Sequence, residues 1–160
     1  MKAISSYPKI HNVGHPEIMT VFEDDVLVEE KVDGSQISFM LYTLGSNKSL
    51  YIKSKKQMIE VDCPEKMFEI AVEEILAIQH LLTPNFIYRG EYLKKPKHNA
   101  LAYDRVPNHH IVLFDVEVAN SSFMKWEDKY DEAQRLGLEC IPVHFHGRIR
   151  SHEQFKEILD

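Results

Sequence analysis

The stretch Glu29-Glu30-Lys31-Val32-Asp33-Gly34-Ser35-Gln36-Ile37-Ser38-Phe39 sets one lysine between two strand-like runs, where it can serve as a nucleophile. A free lysine titrates near ~10.4 and is a poor nucleophile at neutral pH until burial or a neighbouring cation lowers that value. The apolar run Val26-Leu27-Val28 predicts a strand that draws Lys31 toward the interior. Gly34 allows a tight reversal and a close backbone approach to a ligand. In such a setting the lysine Nζ can attack an electrophilic phosphorus and hold a nucleotide through a phosphoramide bond. Taken alone, K-x-D-G also reads as a hairpin edge with Asp33-Gly34 as the turn.

Other polar residues gain meaning from strand periodicity. Over residues 85–93, alternation puts Ile87, Arg89, Glu91 and Leu93 on one face and Phe86, Tyr88 and Tyr92 on the other. Arg89 and Glu91 then point the same way, toward a pocket or toward each other. An exposed pair of that kind is worth at most ~1 kcal/mol. Over 110–118, Phe114 alternates with Val112, Val116 and Val118 and reads first as a core phenylalanine. Lysines cluster at Lys48, Lys53, Lys55 and Lys56, and again at Lys94, Lys95 and Lys97 with Arg105. Such clusters are either solvated faces or phosphate contacts. Of the nine histidines, His109-His110 and His144-Phe145-His146 are the metal candidates, but no cysteine pairing or H-x-x-x-H spacing supports a structural zinc site.

The elements that must carry these residues are legible in outline. Residues 25–32 and 36–43 alternate like a hairpin pair, and 49–54 form a third strand after the Gly45-Ser46-Asn47 turn. A helix is predicted from about Pro64 to Leu82, capped by Asp62 with Glu65, with Met67, Ala71, Ile75, Ile78 and Leu82 as its apolar stripe and Pro84 as its stop. Strands follow at 85–93 and 110–118, then a helix at 126–136 ended by Gly137. Ser151 with Gln154 caps a last short helix that carries Phe155, Ile158 and Leu159. The fold class is α+β, built around antiparallel sheet. A length of 160 residues with 44% hydrophobic content suits one domain with its own core, spanning 1–160. No apolar run approaches the ~20 residues of a membrane span, and the first residues lack the apolar centre of a signal peptide. Two cysteines, Cys63 and Cys140, fit reduced thiols and a cytoplasmic location. A net charge of −6 argues against a broad nucleic-acid surface.

Glu30 to Phe39 resembles the nucleotide-binding lysine motif of the covalent nucleotidyltransferases, which include DNA ligases, RNA ligases and mRNA capping enzymes. Within that superfamily, E-K-x-D-G-S-Q-x-S-F is most similar to ATP-dependent RNA ligases of the phage nick-repair type. Three further stretches fall in the family's order: Ile52-Lys53-Ser54-Lys55-Lys56 as its short basic strand, Tyr88-Arg89-Gly90-Glu91-Tyr92-Leu93 as its G-E motif, and Ile111-Val112-Leu113-Phe114-Asp115-Val116 as its aromatic-Asp strand. The resemblance implies an antiparallel-sheet nucleotidyltransferase fold of the ligase and capping-enzyme kind, ATP-grasp-like. It implies ATP with Mg²⁺ or Mn²⁺ as cofactors and Lys31 as the residue that takes AMP. It assigns Glu30 to placing the base, Gln36 to the ribose and phosphate, Glu91 to the ribose hydroxyls and Phe114 to stacking on adenine. Asp33 and Gly34 belong to the nucleotide-binding turn. Lys55 stands nearest the family's usual arginine, and lysine lacks arginine's bidentate fork. Phosphate contacts are expected from Lys53, Lys55 or Lys56, and RNA-backbone contacts from Lys94 to Lys97.

Two later motifs of the family, an E-G-hydrophobic strand and a lysine-bearing strand, have no counterpart in residues 144–160. The expectation is therefore a partial adenylation domain, incomplete at the C-terminus, that binds ATP weakly and self-adenylates slowly or not at all. The implied acceptors are an RNA 5′-phosphate and a 3′-hydroxyl, with no membrane partner. Open strand edges suggest self-association or a missing partner segment. The alternatives are a DNA ligase or a capping-type enzyme using the same lysine chemistry, or a degenerate copy kept as a nucleotide- or RNA-binding module.

Overall fold

The computed structural model describes residues 4–119 and 122–160. In chain order the strands are β1 (Val26–Glu29), β2 (Ser35–Leu44), β3 (Asn47–Ser54), β4 (Met58–Ile59), β5 (Ile87–Tyr92), β6 (Ile111–Ala119), β7 (Ser122–Phe123), β8 (Glu139–Cys140) and β9 (Val143–Gly147). The helices are α1 (Glu69–Ile78), α2 (Trp126–Leu136) and α3 (His152–Leu159). Two compact units result: the segment ending at Tyr7 with Val32–Cys140, and Pro8–Lys31 with Ile141–Asp160.

The larger unit is an antiparallel sheet in the order β4-β3-β2-β5-β6-β7, with β8 added parallel to β6. Its two faces follow from alternation. Ile37 and Phe39 of β2, Ile52 of β3, Tyr88 and Tyr92 of β5, and Ile111, Leu113 and Val116 of β6 point into one core. Ala71, Val72, Ile75 and Ile78 of α1 and Ala133 and Leu136 of α2 close over it. The phenols of Tyr88 and Tyr92 are pushed up to about 12 by burial, so both remain donors, to Glu132 at 2.8 Å and to the Met67 carbonyl at 3.0 Å. The opposite face is polar and carries the residues considered below.

The predicted elements hold with specific corrections. β1 does not form a hairpin with β2; it pairs with β9 in the smaller unit, while β2 pairs with β3 and β5. The Asp33-Gly34 turn is instead claimed by a later loop. The helix predicted from Pro64 to Leu82 is α1 alone, flanked by 3₁₀ turns at Lys66–Phe68 and Gln79–Leu81. Its N-cap is Phe68, which has no side-chain acceptor, and the expected caps lie too far ahead of Glu69 to serve it; Glu65 accepts from Gln57 at 2.6 Å instead. The buried stripe therefore begins at Phe68, and Met67 is exposed. α2 ends as expected, with Gly137 at φ +74 closing it through the Ala133 and Gln134 carbonyls. In the smaller unit, Ser151 Oγ accepts from the Gln154 N–H at 3.1 Å and caps α3. Phe155 packs on Phe22 at 5.3 Å, and Leu159 is exposed.

The departure with most consequence is in β6. Arg89 stands opposite Asp115 but Gly90 opposite Leu113, so Phe114 is an extra residue in the ladder. Such a bulge lets Leu113 and Val116 both reach the core although three positions separate them. Phe114 is thereby taken off the core face that simple alternation with Val116 assigned to it. Its carbonyl accepts from the Lys129 ammonium at 3.0 Å, and Lys129, on α2 in line with Ala133 and Leu136, is itself buried. Gly90 meets the same region at close quarters: a Cβ there would lie 2.7 Å from Ile111 Cγ2 and 3.0 Å from the Val112 carbonyl oxygen. Gly90→Ala must displace β6, and by the usual cost of overpacking should lose about 1–3 kcal/mol in chemical denaturation.

Glu132 joins α2 to the start of β5 by accepting from Tyr88 Oη at 2.8 Å, Thr83 Oγ1 at 3.1 Å and the Arg135 guanidinium. Burial alone would raise its pKa; the bonds from Arg135, Tyr88 and Thr83 outweigh burial and hold it below the ordinary carboxylate value. A depressed folded pKa means that this stabilisation is present above the unfolded value of ~4.3 and is lost as pH falls through the folded one. Glu132→Gln should lower stability by about 1–2 kcal/mol at neutral pH. The gap from the unsubstituted protein should close on acidification, as read by urea unfolding across pH.

Candidate functional site

The polar face of the large sheet gathers residues from four strands. Across β2, β3 and β5, Ser38 stands opposite both Lys53 and Arg89, and Gln36 opposite Glu91. β6 adds Asp115, opposite Arg89, and Glu117, opposite Ile87. The bulge adds Phe114, whose ring is half-buried and meets Tyr7 edge-on at 5.0 Å, with the planes at 82°. Tyr7 belongs to the N-terminal segment of this unit and donates through its hydroxyl to Asp115 Oδ2 at 2.6 Å.

Arg89 anchors this face. It is 1% exposed and ion-paired to Glu117 at 2.9 Å, so its partner is Glu117 rather than the Glu91 suggested by strand spacing. The guanidinium also donates to Ser38 Oγ at 3.1 Å, the Ser5 carbonyl at 2.6 Å and Ser5 Oγ at 3.1 Å. Lys53 Nζ reaches Ser6 Oγ at 3.5 Å and the Ser54 and Lys55 carbonyls at 3.3 Å. Lys53 thus lies on the strand face, whereas Lys55 is exposed beyond the strand's end.

The K-x-D-G turn is built into this unit from Val32 onward. The Gly34 N–H donates to Glu91 Oε1 at 3.1 Å, so the G-E strand directly supports the turn. A Cβ at Gly34 would fall 2.4 Å from the Tyr92 carbonyl oxygen, and only glycine permits that approach. Asp33 is held from the loop after β5: its Oδ2 accepts from the Ala100 and Leu101 N–H groups, both at 2.8 Å, and its own N–H donates to Tyr103 Oη at 2.8 Å. Asn99 Nδ2 donates to Asp33 Oδ1 at 3.3 Å and to the Gly34 carbonyl at 2.8 Å. His98 Nδ1 accepts from the Lys94 N–H at 3.0 Å, leaving the proton on Nε2, which lies 2.9 Å from Ser35 Oγ. Burial lowers the His98 pKa, and Lys95 and Lys94 lower it further against the pull of Asp33, in keeping with the neutral ring this bonding needs.

Glu30 and Lys31 close the first segment of the smaller unit. The Glu30 N–H donates to the Pro142 carbonyl at 3.0 Å, and its carboxylate lies 3.8 Å from His144. Lys31 is exposed, not drawn inside as the apolar run before it suggested. The strand ends at Glu29, and the lysine falls in the connection that follows. Of the histidines considered for metal, His109 Nδ1 pairs with Glu74 at 2.5 Å and His110 Nδ1 donates to the Leu93 carbonyl at 2.9 Å. Among the described residues no group of three His, Cys, Asp or Glu side chains is placed to hold a metal ion.

Sequence reasoning missed Tyr7, the Arg89–Glu117 pair and the Asn99–Tyr103 support. Lys129 alone had a visible signal, since it stands four and seven residues before Ala133 and Leu136 on one helix face.

Comparison with known proteins bears on this geometry. The sequence matches the RNA ligase family over residues 24–160. No curated protein gives a match. Among solved structures, the chain is similar to an archaeal ATP-dependent RNA ligase, with TM-score 0.62 and 18% identity over 89% of this chain and 38% of that one. It is also similar to a putative ATP-dependent DNA ligase from Aquifex aeolicus, with TM-score 0.60 and 19% identity over 96% of this chain and 41% of that one. A Naegleria gruberi RNA ligase variant with ATP and Mn gives TM-score 0.58 and 12% identity over 82% and 39%. The chain thus spans about two-fifths of the length of these proteins. The antiparallel α+β sheet is their ligase nucleotidyltransferase fold, and by its family match this chain belongs to the RNA ligase family.

Proposed function

We propose that this chain carries the nucleotide-charging step of an ATP-dependent RNA ligase, with Lys31 as the acceptor of AMP. The observation that carries the reading is the convergence of three motifs on the polar face of one sheet. Gly34 is bonded to Glu91, Gln36 stands opposite Glu91, and the β6 bulge turns Phe114 off the core. Lys31 precedes Asp33 by two residues in the same K-x-D-G motif.

In this reading adenine stacks on Phe114, an interaction of ~1–3 kcal/mol by analogy with base stacking elsewhere. Glu91 accepts from the ribose hydroxyls, Gln36 serves the ribose and phosphate, and Glu30 helps to place the base. Lys53 and Lys55 bring positive charge to the phosphates. The Lys31 amine, after giving one proton to solvent, attacks the α-phosphorus; the N–P bond forms as the bond to the bridging oxygen breaks, pyrophosphate departs in line, and a second proton leaves the nitrogen to give the phosphoramide. The AMP then passes to an RNA 5′-phosphate, and a 3′-hydroxyl displaces it to seal the strand. A bound Mg²⁺ or Mn²⁺ would supply charge neutralisation, which with positioning carries most of the rate in such transfers.

Intact-mass analysis after prolonged incubation with ATP and Mg²⁺ tests the first step. The expected result is a gain of one AMP that is absent in Lys31→Ala and slowed about tenfold or more in Phe114→Ala. A gain that persists in Lys31→Ala would overturn the reading; no gain in the folded chain is the other outcome expected of a partial domain, and the same assay on a longer form of the protein then decides between a partial domain and lost activity. Labelling with GTP beside ATP, and offering RNA beside DNA ends, separates it from capping-type and DNA-joining chemistry.

A further inference from the structure

Residues 94–103 hold the Asp33–Gly34 turn mostly through groups that keep one protonation state near neutrality: the Asn99 amide, the Ala100 and Leu101 N–H groups and the Tyr103 hydroxyl. His98 is the exception. It is half-buried and bonded through both ring nitrogens. Nδ1 accepts from the Lys94 N–H at 3.0 Å, and Nε2 lies 2.9 Å from the hydroxyl of Ser35, which follows Gly34 and opens β2. Among the described residues Ser35 Oγ has no other hydrogen-bond partner. The ring also meets Tyr92, the cross-strand neighbour of Ser35, edge-on at 5.6 Å. One imidazole therefore ties the start of the segment to the strand end beside the turn. A backbone N–H can only donate, so both bonds exist only with Nδ1 bare and the proton on Nε2. A second proton would set N–H against N–H at Lys94, and a partly buried donor would lose its acceptor. Around the ring stand Asp33 from the turn, which favours the charged form, Lys94 and Lys95 from its own segment, which oppose it, and Tyr92 from β5. Burial is the largest influence and acts with the lysines to keep the ring neutral.

We propose that His98 is a positioning residue for the K-x-D-G turn, holding it through Ser35 only while the ring is neutral, so that acid releases the turn and weakens nucleotide binding. The step from turn to nucleotide rests on the proposed function; the release of the turn does not. With the folded pKa lowered, this support is complete above the unfolded value of ~6.5 and is lost as pH falls from there through the folded value. Histidine is the side chain whose ordinary charge change falls in that range, and the segment holds one of the nine.

The test is NMR of the isotope-labelled chain from about pH 8 down to about pH 5, following the His98 ring nitrogens and the amides of Gly34, Ser35, Ala100 and Leu101. At the alkaline end Nδ1 should be bare and Nε2 protonated. The ring should titrate below ~6.5, and the four amides should shift and lose exchange protection with the same midpoint. His98→Gln, which has no charge to gain, should remove that transition from the amides. Ser35→Ala should keep the ring titration and remove it from the Gly34 amide. The opposite tautomer, a ring titration that the amides do not follow, or an amide transition that survives in His98→Gln would overturn the positioning role. ATP affinity measured by calorimetry supplies the second readout. The ratio of affinities, His98→Gln over the unsubstituted protein, should rise toward acid by up to about tenfold for each pH unit below the ring's midpoint; the titration of ATP itself cancels in the ratio. A ratio constant across the range would overturn the link to the nucleotide. Absence of ATP binding at every pH would overturn the proposed function, while the amide titration still decides the role of His98.

Discussion

A guanidinium buried in a central strand must be met by oxygens wherever it faces, and the polar side of this sheet is arranged around that demand. Arg89 draws Glu117 from β6, Ser38 from β2 and Ser5 from the N-terminal segment toward one point. Its Nε has no partner among the described residues, so even this set leaves one donor unmet. Removing one member of such a buried ion pair generally costs about 3–5 kcal/mol, because the other charge is left uncompensated. A well-packed apolar substitute is often no less stable, so the pair is better understood as fixing position than as adding stability. It fixes the N-terminal segment over the sheet, and with it Tyr7 against Phe114 and Asp115.

The same strand pair generates the aromatic position. Register changes between Arg89 and Gly90, one residue of β6 is left over, and that residue is Phe114. Gly90 lets β6 come close, and Lys129 caps the carbonyl at the extra residue. An aromatic residue set in a bulge has a backbone that cannot slide without shifting Leu113 and Val116 out of the core. Precision at the ring is thus inherited from packing on the far side of the sheet.

Much of this was legible in the residues. Strand and helix runs, the Gly137 stop and the Ser151 cap follow from local rules, because each depends on neighbours within four or five positions. The motifs were legible as motifs. Local rules failed where a distant segment competed for the same groups. Asp33-Gly34 reads as a hairpin turn, but residues 98–103 occupy its hydrogen-bonding groups and β1 goes to β9 instead. Phe114 reads as a core residue because period-two counting has no means of anticipating an inserted residue. Glu65 reads as half of a capping box, yet Gln57 takes its carboxylate. Lys31 reads as half-interior because the strand was extended to it, whereas β1 stops at Glu29.

The terminal strands of the large sheet, β4 and β7, are each two residues long. Where β3 runs on past β4, its first residues are Asn47, Lys48 and Ser49, all exposed. A second molecule adding a strand there would gain few backbone bonds and would bring Lys48 out of water toward the incoming chain. At this edge the cost of desolvating an ammonium opposes the few backbone bonds that an added strand would gain.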